Sequence, residues 1–304
     1  MRELTVKQIF EYLQAYDPHL RIEGDVDTKL KGISSVFHYK QGCLTWVKGQ
    51  DKADMVKEPL TAVVCRPEIV IHAQVRLLAE NPKDLFFLAA DYISGAEQVP
   101  VISETAVLGR SVVLGENVSI GNGACIGEDV KIGSGTVIEA NVTIYDHVVI
   151  GEDCLIKAGA VIGGKGFGYS KHDGQYRAIH HYGSVVIGNH VDIGSNTCVD
   201  RGTMDDTVID DGVKIDNLCH IAHNVTIGKN TVVIANSTVC GSVHIGENVY
   251  IAPHSVVMNQ LEIGDGAMIG MAAAVTKDVQ AETVNIGCPA KPVRTRREDE
   301  WKKY

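Results

Sequence analysis

The sequence predicts a mainly β protein: a parallel β-helix built of hexapeptides, with a small α/β unit before it and a short helical tail after it. Three observations predict this. An aliphatic residue recurs every sixth position from Ile102 through Leu108, Leu114, Ile120, Ile126 and onward to Ile162, resumes at Ile187, Ile193 and Val199, and runs again from Ile209 to Val275. Glycine often follows it, as in Leu114-Gly115, Ile120-Gly121 and Ile227-Gly228. Two positions before it stands a small or β-branched residue, as in Val112, Val118, Ala124, Val130, Thr136 and Val142. A beat of six matches neither the helical period nor the strand period. It fits a short strand followed by a tight corner, three such sides closing one coil of a triangular prism. Inward aliphatic side chains then stack on their equivalents one coil away, at about the 4.8 Å spacing of sheet neighbours. Each coil buries its face only against the next, so stability accumulates along the stack.

The remaining elements follow in chain order. Residues 1–99 lack the beat and predict a small α/β unit. Thr5-Val6-Lys7-Gln8 has the spacing of a capping box, and Val6, Ile9, Phe10 and Leu13 share one helical face. Strands are predicted at 44–47, 61–64 and 68–71. Asn81-Pro82 opens a second helix with proline in its first turn, and 94–100 reads as a linker. The solenoid occupies 100–279. The beat fades after Val275, and 280–304 predict a terminal loop and a charged helical tail, RTRREDEWKKY.

With 304 residues, 45% of them apolar and 22% charged, the chain can build a real core. Its net charge of −10 argues against nucleic-acid binding, which needs clustered Lys and Arg. The N-terminus has no signal-length apolar stretch and no 18-residue apolar run occurs, which predicts a cytoplasmic protein with no membrane span. Eight cysteines without CxxC spacing predict reduced, buried thiols rather than a zinc or redox site.

The beat breaks twice, between Ile162 and Ile187 and between Val199 and Ile209. Long interruptions of a compact repeat are where function concentrates. Gly159 to Lys165 spells GxxxxGK, but Gly166 follows in place of Ser or Thr and the stretch lies on the repeat, so it is not a phosphate loop.

The chemistry gathers in KIDNLCHIAHNVTIG, 214–228, where Asp216, Asn217, His220, His223 and Asn224 fill the gaps between Ile215, Ile221 and Ile227. An aliphatic position points inward, so His223, two residues after Ile221, falls at a corner and projects outward. Its stacking mates are Gly241 and Asn259. A backbone without a side chain then lies about one strand spacing, 4.8 Å, from the imidazole. That leaves room for a reacting group and an N–H for a developing oxyanion. Composition and spacing leave two alternatives open: a general base, or a surface histidine on a solenoid edge.

The segments GGKGFGY (163–169), VVIGNHVDIGSNTCVDRGTMDDTVI (185–209) and GVKIDNLCHIAHNVTIG (212–228) resemble the UDP-3-O-(3-hydroxyacyl)glucosamine N-acyltransferases of lipid A synthesis, the LpxD family of hexapeptide acyltransferases. LTVKQIF, IEGD, LTWV and TAVV of the first unit resemble that family's uridine-binding domain. The resemblance implies a left-handed helix, a homotrimer with sites in grooves between neighbouring solenoids, and a nucleotide-sugar substrate. It implies His223 as general base, the Gly241 N–H as oxyanion contact, Asp216 as an acid lining the cleft, and Trp46 stacking on uracil. Asn217, His220 and Asn224 join these as polar substrate contacts. No metal or permanently bound cofactor is implied; the co-substrate is an acyl thioester of acyl carrier protein or coenzyme A.

Departures from the family concern the substrate. Gln260 replaces a second family histidine, Lys52 stands where a tyrosine follows the uracil-stacking aromatic, Met271-Ala272-Ala273-Ala274 replaces the acyl-groove signature, and His220 replaces a glutamine. IGCPAKPVR resembles the end of short-chain, coenzyme A-dependent sugar acetyltransferases, where Lys291 and Arg294 would meet coenzyme A phosphates. The alternative acceptor is then a UDP- or dTDP-amino-deoxysugar of a surface polysaccharide. A zinc-dependent γ-type carbonic anhydrase is disfavoured because none of the 12 histidines pair at a spacing of five. A non-catalytic scaffold is the third class.

Overall fold

The computed structural model describes residues 3–95, 100–289 and 291–297. Its contacts divide the chain into two compact units, 1–98 and 99–304.

In the first unit, Thr5 caps the helix Val6–Leu13: its hydroxyl accepts the Gln8 N–H at 3.3 Å, and the Gln8 side chain accepts the Thr5 N–H at 2.9 Å. Val6, Ile9 and Leu13 are buried, together with Leu85, Ala89 and Ile93 of the helix Pro82–Ser94. They cover a five-stranded sheet in the order Arg21–Gly24, Ala73–Leu78, Leu60–Cys65, Cys43–Val47 and Gly32–Ile33, in which only the first pair is antiparallel. The predicted strand at 68–71 is corrected: those residues are the connection between Leu60–Cys65 and Ala73–Leu78. These two strands run parallel, so the chain must travel back along the sheet between them. The Arg76 guanidinium pins that return by donating to Ile69 O at 2.5 Å.

The second unit is the solenoid. Its three faces are sheets of nine, eight and ten strands, parallel throughout except for the last strand of the ten. One face stacks Leu108, Ile126, Ile144, Ile162, Val199, Ile221, Val239, Val257 and Val275 in register. The aliphatic residues and the small residues two positions before them form one continuous core. At Thr136, Thr197 and Thr231 the buried hydroxyl is satisfied twice, as when Thr231 donates to Gly246 O at 2.9 Å and accepts the Val249 N–H at 3.0 Å.

The corners have their own rule. Three residues after the aliphatic position the backbone turns left-handed, as at Asn117 (φ 57°), Asn141 (58°), Asn224 (59°), Asn230 (56°) and Asn248 (55°). Asn is the side chain that, after Gly, best tolerates this conformation.

The first break of the beat is ejected from the stack, since Ile150 pairs with Ile187 and Ile162 with Val199. It forms an exposed hairpin of Tyr169–His172 and Gln175–Ala178. The second break lengthens a single corner, so that Val199 pairs with Ile221.

Two further expectations are corrected. The solenoid does not end at 279: Thr283–Ile286 adds to the ten-stranded sheet beside Met268–Ile269, and Lys291–Thr295 folds back antiparallel against it. Thus 291–295 is strand rather than loop or helix, because the last coil exposes an edge of unpaired backbone groups that a hairpin covers. The rest of the predicted tail, 298–304, and 96–99 of the predicted linker lie outside the described residues. Of the cysteines, Cys43, Cys65, Cys154 and Cys219 are buried, but Cys125 and Cys288 are exposed; Cys125 precedes the inward Ile126 and therefore faces out. Among the described residues no helix is long and apolar enough to cross a membrane.

Candidate active site

His223 occupies the predicted corner, the first turn residue after the strand His220–Ile221. A Cβ placed on Gly241 would lie 2.7 Å from both Cε1 and Nε2 of its ring, so the glycine backbone lies directly against the imidazole. At other corners the equivalent backbone N–H is taken by a side chain from the next coil. Glu128 N–H donates to Asp146 at 2.8 Å, Ser195 N–H to Asn217 at 2.7 Å, and Glu247 N–H to Asp265 at 2.8 Å. By the same pattern the Gly241 N–H would meet the side chain of Asn259, one coil further on, but that bond is not made. Among the described residues the Gly241 N–H has no acceptor. The stack thus leaves a free donor beside the Nε2 edge of the ring.

The tautomer follows from the hydrogen bonds. His223 Nδ1 lies 3.0 Å from Asn224 Oδ1. The same amide donates through Nδ2 to Asp205 O at 3.0 Å and accepts the Thr203 N–H at 3.0 Å. A carbonyl only accepts and an amide N–H only donates, so the amide orientation is fixed and Oδ1 faces Nδ1. Nδ1 therefore carries the proton, leaving the Nε2 lone pair directed at Gly241. Thr203 and Asp205 belong to the second break of the beat, whose added residues hold the amide that holds the imidazole. Asn224→Gly keeps the left-handed corner but removes the amide. It is expected to retain the fold and lose about 10²-fold in turnover, the cost of misplacing a reacting group by about an ångström; steady-state kinetics beside a melting curve checks this.

His223 lines a cleft of about 410 Å³ together with Phe167, Asp200, His220, Gly241 and Gln260, among others. Asp200 is only 9% exposed, and its carboxylate stands 3.5 Å from His220 Nε2. Burial pushes the Asp200 carboxyl above the usual carboxylate range, opposed by His220, His223 and His181. An acid whose folded pKa is raised binds its proton more tightly when folded, so its charged form costs stability as pH rises. Asp200→Asn is therefore expected to raise the melting temperature at pH 7, with the gain shrinking as pH falls through the raised folded pKa and gone below about 4.

His181 is buried, its ring centroid 5.5 Å from that of His223. Its Nδ1 donates to Ile179 O at 3.1 Å, and its Nε2 is buried without a partner. Gly166 passes against both rings: a Cβ there would lie 3.0 Å from His181 Nε2 and 3.0 Å from His223 Cδ2. The glycine-rich first break thus closes over the cleft by close backbone approach.

The fold brings His220, His223, Gly241 and Gln260 to one cleft, with Asn224 behind the ring. Asp216 and Asn217 are not there. They sit one side earlier, at the corner after Ile215, where Asp216 accepts the Ala235 N–H at 3.2 Å and Asn217 accepts the Ser195 N–H. Six residues make one side of the prism, so within one chain 217 and 223 fall on successive edges. Trp46, in the first unit, lines a separate cavity of about 660 Å³ with Phe37, Phe86, Phe87 and Lys52. Lys291 and Arg294 lie on the exposed terminal strand. Sequence reasoning missed Asp200, His181, Gly166 and Thr203. The available signal for Asp200 was a carboxylate one residue after Val199, where glycine is the common occupant.

Comparison with known proteins fits this geometry. The model "Bacterial transferase hexapeptide (six repeats)" matches residues 129–164, 206–241, 227–259 and 242–277, and "Hexapeptide repeat of succinyl-transferase" matches 111–146. The solved LpxA of Acinetobacter baumannii superposes with a TM-score of 0.59 at 28% identity, over 66% of this chain and 76% of that one. The UDP-N-acetylglucosamine O-acyltransferase (LpxA) of Moraxella catarrhalis gives 0.60 at 29%, over 67% and 77%. Together the hexapeptide-repeat models cover residues 111–164 and 206–277. The solenoid is accordingly a left-handed parallel β-helix. Curated relatives named UDP-3-O-acylglucosamine N-acyltransferase include one from Cytophaga hutchinsonii, 60% identical over 83 residues, which are 27% of this chain and 24% of the relative. Another, from Rickettsia akari, is 49% identical over 136 residues, 45% of this chain and 39% of the relative. The matched segments span about a quarter to two fifths of those relatives.

Proposed function

We propose that this hexapeptide-repeat protein is an N-acyltransferase that moves an acyl group from a thioester to the amino group of a nucleotide-linked amino sugar. The observation that carries this is the His223 corner, where a lone pair on Nε2 and an unoccupied Gly241 N–H share one cleft. A proton acceptor and an oxyanion donor side by side are what acyl transfer to an amine requires. The amine attacks the thioester carbonyl while His223 Nε2 takes its proton. The Gly241 N–H receives the oxyanion, and the departing sulfur recovers the proton from the imidazole.

The names of the curated relatives support UDP-3-O-acylglucosamine as acceptor, and the Trp46 cavity has the flat aromatic wall that a uracil ring needs. The separation of Asp216 and Asn217 from His223 supports a homotrimer, since the two edges can meet only across copies, in grooves between neighbouring solenoids. Sedimentation of the purified protein as a monomer would remove that part of the proposal. Acyl carrier protein is the expected donor. The exposed Lys291 and Arg294 favour a second reading, with a short-chain acyl-coenzyme A and a UDP- or dTDP-amino-deoxysugar. Incubation with both thioester types and both acceptors decides: the released thiol identifies the donor, and release of neither above the hydrolysis background rejects acyl transfer.

A further inference from the structure

We infer that Asp200 is a specificity residue that receives an N–H of the acceptor's amino group and makes the site select an amine over a hydroxyl. This rests on the acyl-transfer reading and deepens it by naming what holds the reacting group.

Asp200 is a nearly buried carboxylate lining the cleft that holds His223 and Gly241. Among the described residues it accepts no hydrogen bond from backbone or side chain, and its one polar contact is His220 Nε2 at 3.5 Å, beyond strong hydrogen-bond range. Buried carboxylates are otherwise paired, because an unpaired one forfeits its hydration. Neither His223 nor His181 supplies Asp200 with a donor. The proton of His223 is on Nδ1 and committed to Asn224, so Nε2 presents a lone pair. The proton of His181 is likewise committed, to Ile179 O, and its Nε2 is a buried acceptor. The nearby Arg201 guanidinium is occupied elsewhere, donating to Gly163 O and Asp146 O at 2.7 Å each.

The cleft thus presents two acceptors, a carboxylate and an imidazole lone pair, with the Gly241 N–H set aside for the oxyanion; Ser242, Asn259 and Gln260 also line it. A hydroxyl brings one hydrogen and can satisfy only one of the two acceptors. A primary amine brings two and an ammonium three, enough for both at once. The protons balance. An acceptor arriving as ammonium yields one proton to solvent, keeps one on nitrogen against Asp200, and passes one to His223 as the N–C bond forms. When the C–S bond breaks, that last proton moves from His223 to sulfur.

The test is calorimetric binding, independent of turnover, of UDP-3-O-acylglucosamine and of the analogue with hydroxyl in place of the amine. Wild-type protein is expected to prefer the amine. Asp200→Asn is expected to weaken amine binding about 10- to 100-fold, the scale of a lost hydrogen bond to a charged group, while leaving the hydroxyl analogue within about threefold. A variant that keeps the amine preference, or weakens both ligands equally, overturns the inference and leaves the acyl-transfer reading standing. If Asp200 acted only through His220, His220→Gln would abolish the preference as fully as Asp200→Asn, which also overturns a direct contact. Wild-type protein that neither binds nor acylates the amine overturns both.

Discussion

His223→Ala is expected to lower the acyl-transfer rate by about 10²–10⁴-fold, the contribution of a positioned general base, without unfolding the protein. The imidazole projects from a corner and contributes nothing to the stacked core, which consists of the inward residues on either side, Ile221 and Val225. Its removal leaves the strand His220–Ile221 paired on both edges. Circular dichroism and the melting temperature should therefore match the parent while single-turnover thiol release collapses. A variant with parental turnover would show that the base lies elsewhere and remove the proposed mechanism.

Gly241→Ala is the second large effect, and it separates the site from the fold in another way. Gly241 does not have a left-handed backbone, so alanine is conformationally permitted. Its methyl, however, would stand 2.7 Å from His223 Cε1 and Nε2. The ring must swing away, breaking the 3.0 Å bond between Nδ1 and Asn224, or else the methyl fills the space of the attacking nitrogen. The expected result is a rate at least about 10²-fold lower, the scale of an ångström's misplacement, with a melting temperature close to the parent. Larger side chains at 241 should be at least as damaging. An alanine variant that turns over normally would mean that the imidazole does not act in the rotamer seen here.

Much of the solenoid was legible before any coordinates. Ile126, Ile144 and Ile162 announce their stacking because each coil repeats the same steric demand, and the same arithmetic placed His223 against Gly241. A second signal went unread: Asn117, Asn141, Asn224, Asn230 and Asn248 recur three residues after the beat, marking left-handed corners. The strand predicted at 68–71 failed because its apolar content serves the return of a parallel crossover, a requirement set by sheet order rather than local composition. The terminal hairpin was missed for a similar reason, since Lys291–Thr295 is strand only because an open sheet edge lies beside it.

The sequence by itself determined the prism, its inward stack and the edge on which the candidate base stands, because a strict short repeat makes sequence separation a measure of spatial position. Only the tertiary structure decided that Asp200, His181, Gly166 and Thr203 converge on that base while Asp216 and Asn217 turn away to another edge. Those groups come from the two breaks of the repeat, where the tie between separation and position is lost. There, which atoms meet depends on how the ejected segments fold back, and that is settled by packing and hydrogen bonds rather than by the beat.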